Sequence, residues 1–230
     1  MPTWSRWVLG TLVVLVAFGV PAAYYRSNYT NFKRFRVVTP GKFYRSGQFT
    51  AGGLRAIVRD QGIKTVINLQ EENVDPFMPE EWLATPHVTE SELCRELGVN
   101  YYALFGGEIV PPDEFAKGKR PAVIDQYLQI LDNKDNYPIL LHCKAGLHRT
   151  GILTAIYRMD KENVSPGRAM EEVRANGFGT FAATTGNVYI VQYVDAFKKG
   201  VRNPVPPAVP GKPPAAVVAN DTKPSPGGAH

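Results

Sequence analysis

Cys143 and Arg149 are held within one short stretch, His142-Cys143-Lys144-Ala145-Gly146-Leu147-His148-Arg149-Thr150-Gly151, whose glycines allow a tight turn. That pairing can do phosphoryl chemistry. On such a loop the backbone N–H groups from Lys144 to Arg149 can converge on one point, and an anion is favoured there if a helix begins immediately afterwards. The same donors favour the sulfur anion, the nucleophilic form of a thiol. Arg149 offers a planar fork that grips two phosphoryl oxygens at once, which a lysine point charge cannot copy. Thr150 can donate its hydroxyl to the sulfur and help it leave. The implied reaction is attack of Cys143 on phosphorus, a cysteinyl-phosphate, and its hydrolysis. Lys144, Ala145, Gly146, Leu147, His148 and Thr150 would line the substrate's phosphate. Competing readings make Cys143 a buried small apolar residue, or a metal ligand with His142 and His148, although the usual Cys/His ligand pairs are missing. A rhodanese-like or arsenate-reductase-like use of a similar loop is also open.

The flanking segments must position this loop. Tyr137-Pro138-Ile139-Leu140-Leu141 reads as a buried strand before it, and Ile152 to Met159 as a buried helix after it. Elsewhere helix and strand signals alternate. Thr50 to Gln61 reads as a helix closed by Gly62, and Lys64 to Leu69 as a strand. Thr89 with Glu92 forms a capping-box pattern that opens a helix ended by Gly98. Asn100 to Phe105 reads as a strand, Pro121 to Leu131 as a helix, and Ser165-Pro166 as the start of another that stops near Gly177. The alternation predicts an α/β fold.

The signature His-Cys, five residues, Arg, Ser or Thr, Gly resembles that of the cysteine-based protein tyrosine and dual-specificity phosphatases. The resemblance extends upstream to Phe43-Tyr44-Arg45-Ser46-Gly47-Gln48 and Gly62-Ile63-Lys64-Thr65-Val66-Ile67-Asn68-Leu69, which are similar to the opening segments of small bacterial, plant and fungal dual-specificity-like members. It covers roughly Phe35 to Gly200. It implies a central, mostly parallel sheet flanked by helices, with no metal or organic cofactor. Low-molecular-weight tyrosine phosphatases carry their cysteine loop near the domain's start, and that lineage does not fit.

Family members also carry an aspartate on a loop some thirty residues before the cysteine, which protonates the leaving oxygen. Asp113 matches by type and spacing, but it follows Pro111-Pro112 and equally suits a helix start. Glu108, after Gly106-Gly107, is the reserve candidate. No Trp-Pro-Asp sequence is present.

Composition divides the chain into three parts: 1–30, 31–202 and 203–230. Trp7 to Tyr25 holds no charged residue, and at ~1.5 Å per residue it almost crosses a ~30 Å hydrocarbon core. Trp4, Trp7, Tyr24 and Tyr25 sit where interfacial aromatic residues belong. The segment reads as a membrane anchor, with a cleavable signal peptide and export as the alternative. Arg26, Lys33, Arg34 and Arg36 follow it, which by the positive-inside tendency places the catalytic domain in the cytoplasm. Residues from Asn203 onward are rich in Pro, Ala and Gly and read as a disordered tail.

The net charge of +5 suits an anionic substrate or a membrane surface. The basic residues form no run interleaved with aromatic stacking platforms, so nucleic acid is not expected. Phosphorylated protein is the first substrate class. A phosphorylated inositol or lipid is the second, because Lys144 follows the cysteine directly and His148 adds to the loop's positive potential, although Leu147 stands where such enzymes often have another lysine. A membrane-tethered module that binds phosphate without hydrolysis is the alternative from another class. Two cysteines indicate no disulfide scaffold; Cys94 reads as core filler, with a reversible disulfide to Cys143 as the other option.

Overall fold

The computed structural model describes residues 2–70, 77–79, 88–104, 120–179, 191–195 and 197–211 of the chain. Asp113 and Glu108 lie outside the described residues.

Five strands form one sheet: β1 (Arg36–Thr39), β2 (Phe43–Ser46), β3 (Thr65–Asn68), β4 (Asn100–Ala103) and β5 (Ile139–His142), in the order β1-β2-β5-β3-β4. Strands β2, β5, β3 and β4 run parallel, and β1 pairs antiparallel with β2, so the sheet is mixed. Every residue of β2, β3 and β5 is buried, as expected of strands covered on both faces. Alternation along the strands sorts the core into two clusters. Phe43, Ile67, Ile139 and Leu141 face one way, together with residues of α4 (Ala122–Asp132), α5 (His148–Glu162) and α6 (Pro166–Ala175). Tyr44, Val66 and Leu140 face the other, with residues of α2 (Ala51–Gln61) and α3 (Glu90–Glu96). A short α7 (Gln192–Asp195) adds Tyr193 and Val194 to the first cluster.

Local chemistry explains the helix ends. Thr50 Oγ1 accepts from Gly53 N at the start of α2, and Gly62 closes it in the left-handed conformation with φ 61°. The Thr89–Glu92 capping box is formed at α3, and Ser165 caps α6 ahead of Pro166.

Two boundaries differ from the sequence expectation. Helix α5 starts at His148 instead of Ile152, which places Arg149 and Thr150 in its first turn. The expected disordered tail from Asn203 does not begin there. Asn203 N and Nδ2 donate to buried Asp125, Gln126 Nε2 donates to Pro206 O at 3.2 Å, and Gly211 N donates to Tyr101 O at 2.7 Å. The segment holds on through its backbone, and its prolines lower the entropy that ordering costs.

At the other end, a continuous helix α1 (Thr3–Asn31) contains an 18-residue stretch of mean hydropathy 2.0 and is long and apolar enough to cross a membrane. A signal sequence passes the same test. Its apolar side chains are exposed among the described residues, Trp7 by 78% and Phe18 by 73%. Phe32 and Phe35, just beyond it, pack against the second cluster.

Candidate active site

Strand β5 is central, and register puts Ser46, Asn68 and His142 level with one another at the C-terminal ends of β2, β3 and β5. The segments leaving those ends therefore meet at the crevice where open α/β sheets bind ligands. Cys143 to Leu147 is the central one of them.

The loop's carbonyls are pulled outward by donors from elsewhere in the chain. Lys144 O accepts from Gln48 N at 3.4 Å, Ala145 O from Arg34 Nη1 at 2.9 Å, and Gly146 O from Arg45 Nη2 at 2.8 Å. In a trans peptide the N–H points opposite to the C=O. Turning three successive carbonyls out thus turns the N–H groups of Ala145, Gly146 and Leu147 in. Gly146 N indeed donates to Cys143 Sγ at 3.3 Å. Gly146 has φ 72°, and a Cβ there would meet backbone atoms of Ser46 and Gly47.

Arg149 is exposed at the helix start, with Nη1 donating to Leu69 O on the segment leaving β3. Its guanidinium is thus oriented by a neighbour's carbonyl and retains further donors for a ligand. Thr150 Oγ1 is buried with no hydrogen-bond partner among the described residues, and Thr154 Oγ1 donates to Thr150 O at 2.6 Å. Lys144 is exposed, while Leu147 is buried and Ala145 half-buried. His148 stacks edge-on against Phe178, with centroids 5.9 Å apart. Burial and then the Arg149 charge hold its imidazole below the ordinary value.

His142 points away from this loop. Its Nε2 lies 3.0 Å from Glu90 Oε1 at the start of α3; Glu90 Oε2 accepts from Asn68 Nδ2 at 2.8 Å, and Asn68 Nδ2 is 3.0 Å from the Tyr101 hydroxyl. Asn68 Oδ1 accepts from Gln70 N at 2.8 Å, which shapes the turn next to Leu69. This buried polar cluster ties β3, β4 and β5 together beneath the site. It pairs His142 Nε2 with Glu90, and among the described residues His142, Cys143 and His148 do not form a group that could hold a metal ion. Cys94 and Cys143 belong to clusters on opposite faces of the sheet, and neither is in a disulfide.

Arg45 is the residue that motif reading left without a role. It is 2% exposed, its Nη2 holds Gly146 O, and its Nη1 has no hydrogen-bond partner among the described residues. Burial, followed by Arg36, lowers its pKa to about 10, so it is a cation at neutral pH. Replacing it with methionine keeps the bulk and releases the loop. Arg45→Met is expected to lower kcat/KM about tenfold while the melting temperature moves little, because removal of a buried charge offsets the lost hydrogen bond. Initial rates and thermal denaturation on one preparation check this; unchanged kinetics would show that Gly146 O needs no such donor.

The chain is similar to known proteins. A family model described as "Tyrosine phosphatase family" matches residues 29–205. The inositol diphosphatase DSP4 of Arabidopsis thaliana is 50% identical over 67 residues, which are 29% of this chain and 25% of that protein. The dual specificity protein phosphatase TpbA of Pseudomonas aeruginosa is 43% identical over 42 residues, 18% of this chain and 19% of its own. The matched stretch thus spans a quarter or less of these relatives. The crystal structure of the core catalytic domain of the PP-IP phosphatase SIW14 from S. cerevisiae, in complex with citrate, superposes with a TM-score of 0.53 at 21% identity, covering 73% of this chain and 87% of that one. That likeness gives the fold. With the cysteine loop in place at the end of the central strand and the family match running across the whole sheet and its helices, this chain belongs to the tyrosine phosphatase family.

Proposed function

We propose that the protein hydrolyses phosphate monoesters through a covalent cysteinyl-phosphate. The observation that carries this is the Gly146 N–H donated to Cys143 Sγ inside a loop whose Lys144, Ala145 and Gly146 carbonyls are held by donors from elsewhere in the chain. Sγ attacks phosphorus, an S–P bond forms, and the ester oxygen leaves with the bond's electron pair. The inward N–H groups and Arg149 hold the three non-bridging oxygens, where charge is concentrated in the transition state. Asp113, or Glu108 in its place, supplies the proton to the departing oxygen. Water then attacks phosphorus, and Thr150 donates its hydroxyl to the sulfur as it leaves.

The substrate classes are phosphorylated protein and, second, a phosphorylated inositol or membrane lipid. Exposed Lys144 next to the cysteine supports the second. Helix α1 supports a single-pass membrane placement, with the catalytic domain on the cytoplasmic side by the basic residues that follow it.

The test is phosphate release from p-nitrophenyl phosphate by the purified full-length chain in detergent, followed by a panel of phosphopeptides, phosphoinositides and inositol phosphates. Orthovanadate, which mimics pentacoordinate phosphorus, is expected to stop the reaction. A pure, folded chain that binds phosphate and releases none from any substrate would instead be a phosphate-binding module.

A further inference from the structure

Lys33 reaches the catalytic loop from outside the motif. It lies two residues past the end of α1, at Asn31. Its carbonyl accepts from Gly47 N at 2.7 Å, and its side chain runs across the face of Gly47: a Cβ there would meet Lys33 Cγ and Cδ at 2.9 Å and Lys144 O at 3.1 Å. The Lys33 stem and the Lys144 backbone thus flank the same glycine. Its neighbour Arg34 is anchored on Ala145 O, which fixes the whole segment against the loop.

We propose that Lys33 and Lys144 form a second anion subsite beside the loop, which takes a further phosphate carried close to the one hydrolysed. This rests on the phosphatase reading and deepens it by naming the substrate class: a monoester bearing two neighbouring phosphates.

The electrostatics agree with the geometry. Burial, then Arg34 and Lys144, push the Lys33 ammonium below its ordinary value, and the Cys143 sulfur pulls it back up. It therefore sits among like charges and feels the field of the reacting sulfur. A bound phosphate relieves that repulsion, and a group already half-desolvated loses little water when the anion arrives. Lys144 is exposed, so the anion approaches from solvent.

Placement also suggests a source for the substrate. Arg26–Asn31 is the helical stretch between the apolar run and Lys33. At ~1.5 Å per helical residue and ~3.5 Å per extended one, Lys33 lies at most about 16 Å beyond the end of that run. If α1 spans a bilayer, that reach matches a ~6 Å headgroup layer plus a ~8 Å Debye length. The subsite then faces phosphorylated headgroups, although a soluble inositol bisphosphate has the same chemistry.

The experiment compares kcat/KM for a bisphosphorylated and a monophosphorylated phosphoinositide, using the full chain reconstituted in phosphatidylcholine vesicles. A parallel arm uses soluble inositol bisphosphate and monophosphate. Lys33→Met is expected to lower the bis-to-mono ratio about tenfold, as loss of one charge-assisted contact predicts, and Lys33→Arg to keep it near wild type. A drop in the vesicle arm, the soluble arm or both supports the subsite and identifies the source. A ratio unchanged in Lys33→Met, or a fall shared equally by both substrates, overturns it. Wild-type protein inactive on every ester removes the phosphatase reading, and this proposal with it.

Discussion

Cys143→Ser is expected to release phosphate from p-nitrophenyl phosphate at least ~10³-fold more slowly than wild type, in the range seen when a covalent nucleophile is removed. The substitution is nearly isosteric, and the loop is held by groups that do not involve the sulfur: Gln48 N, Arg34 and Arg45 on three carbonyls. Only the Gly146 N–H loses its sulfur acceptor, and a serine oxygen can accept there in turn. Fold and anion affinity should therefore survive while the reaction stops, because a serine hydroxyl is a far weaker acid than a thiol and offers almost no anion at neutral pH. Phosphate binding by calorimetry and a melting curve, run beside the rate assay, separate lost chemistry from lost structure. Turnover at the wild-type rate would move the nucleophile elsewhere. Binding and rate lost together would mean that the sulfur is a structural part of the loop.

What the sequence announced and what it hid divide by range along the chain. The Thr89–Glu92 box, the Ser165 cap and the Gly62 helix stop involve residues within a few positions of each other, and all three are present as expected. Strands β3 and β5 announced themselves as short apolar runs because both faces are covered. The start of α5 was obscured because His148 and Arg149 are polar and add nothing to an apolar stripe.

The contacts that set the loop could not be read in this way. Arg34 meets Ala145 across 111 positions, Arg45 meets Gly146 across 101, and Arg149 meets Leu69 across 80. Each depends on the order β2-β5-β3, which no local pattern specifies. The same holds for Glu90, which looks like an ordinary first-turn acid of a helix and yet is buried against His142 and Asn68. Residues 203–211 misled for a different reason. Poverty in large apolar side chains measures what side chains can bury, whereas this segment docks through backbone groups, with Pro206 O accepting and Gly211 N donating.

The close approach of Gly146 to β2 makes a second large effect predictable. Its φ is 72°, a region in which a Cβ costs about 1–2 kcal/mol by itself. Space is the greater obstacle. A Cβ would stand 2.5 Å from Gly47 N and 2.6 Å from Ser46 C and O, all backbone atoms at the end of a strand paired with β5. Those atoms cannot rotate aside, so in Gly146→Ala the loop must lift from β2. Lifting it breaks the Arg45 bond to Gly146 O and withdraws the Gly146 N–H from the sulfur. A displacement of about 1 Å in such a site costs about 10²-fold in rate, and kcat/KM is expected to fall at least that far. Gly62→Ala is the control. It has φ 61° with nothing within 4 Å of the added Cβ, so it bears the conformational cost alone, at a helix end remote from the loop. Its melting temperature should drop while kcat/KM holds. If Gly146→Ala only lowered the melting temperature, as Gly62→Ala does, with its turnover intact, the cradle would not depend on contact between the loop and β2, and the inward N–H groups would need another support.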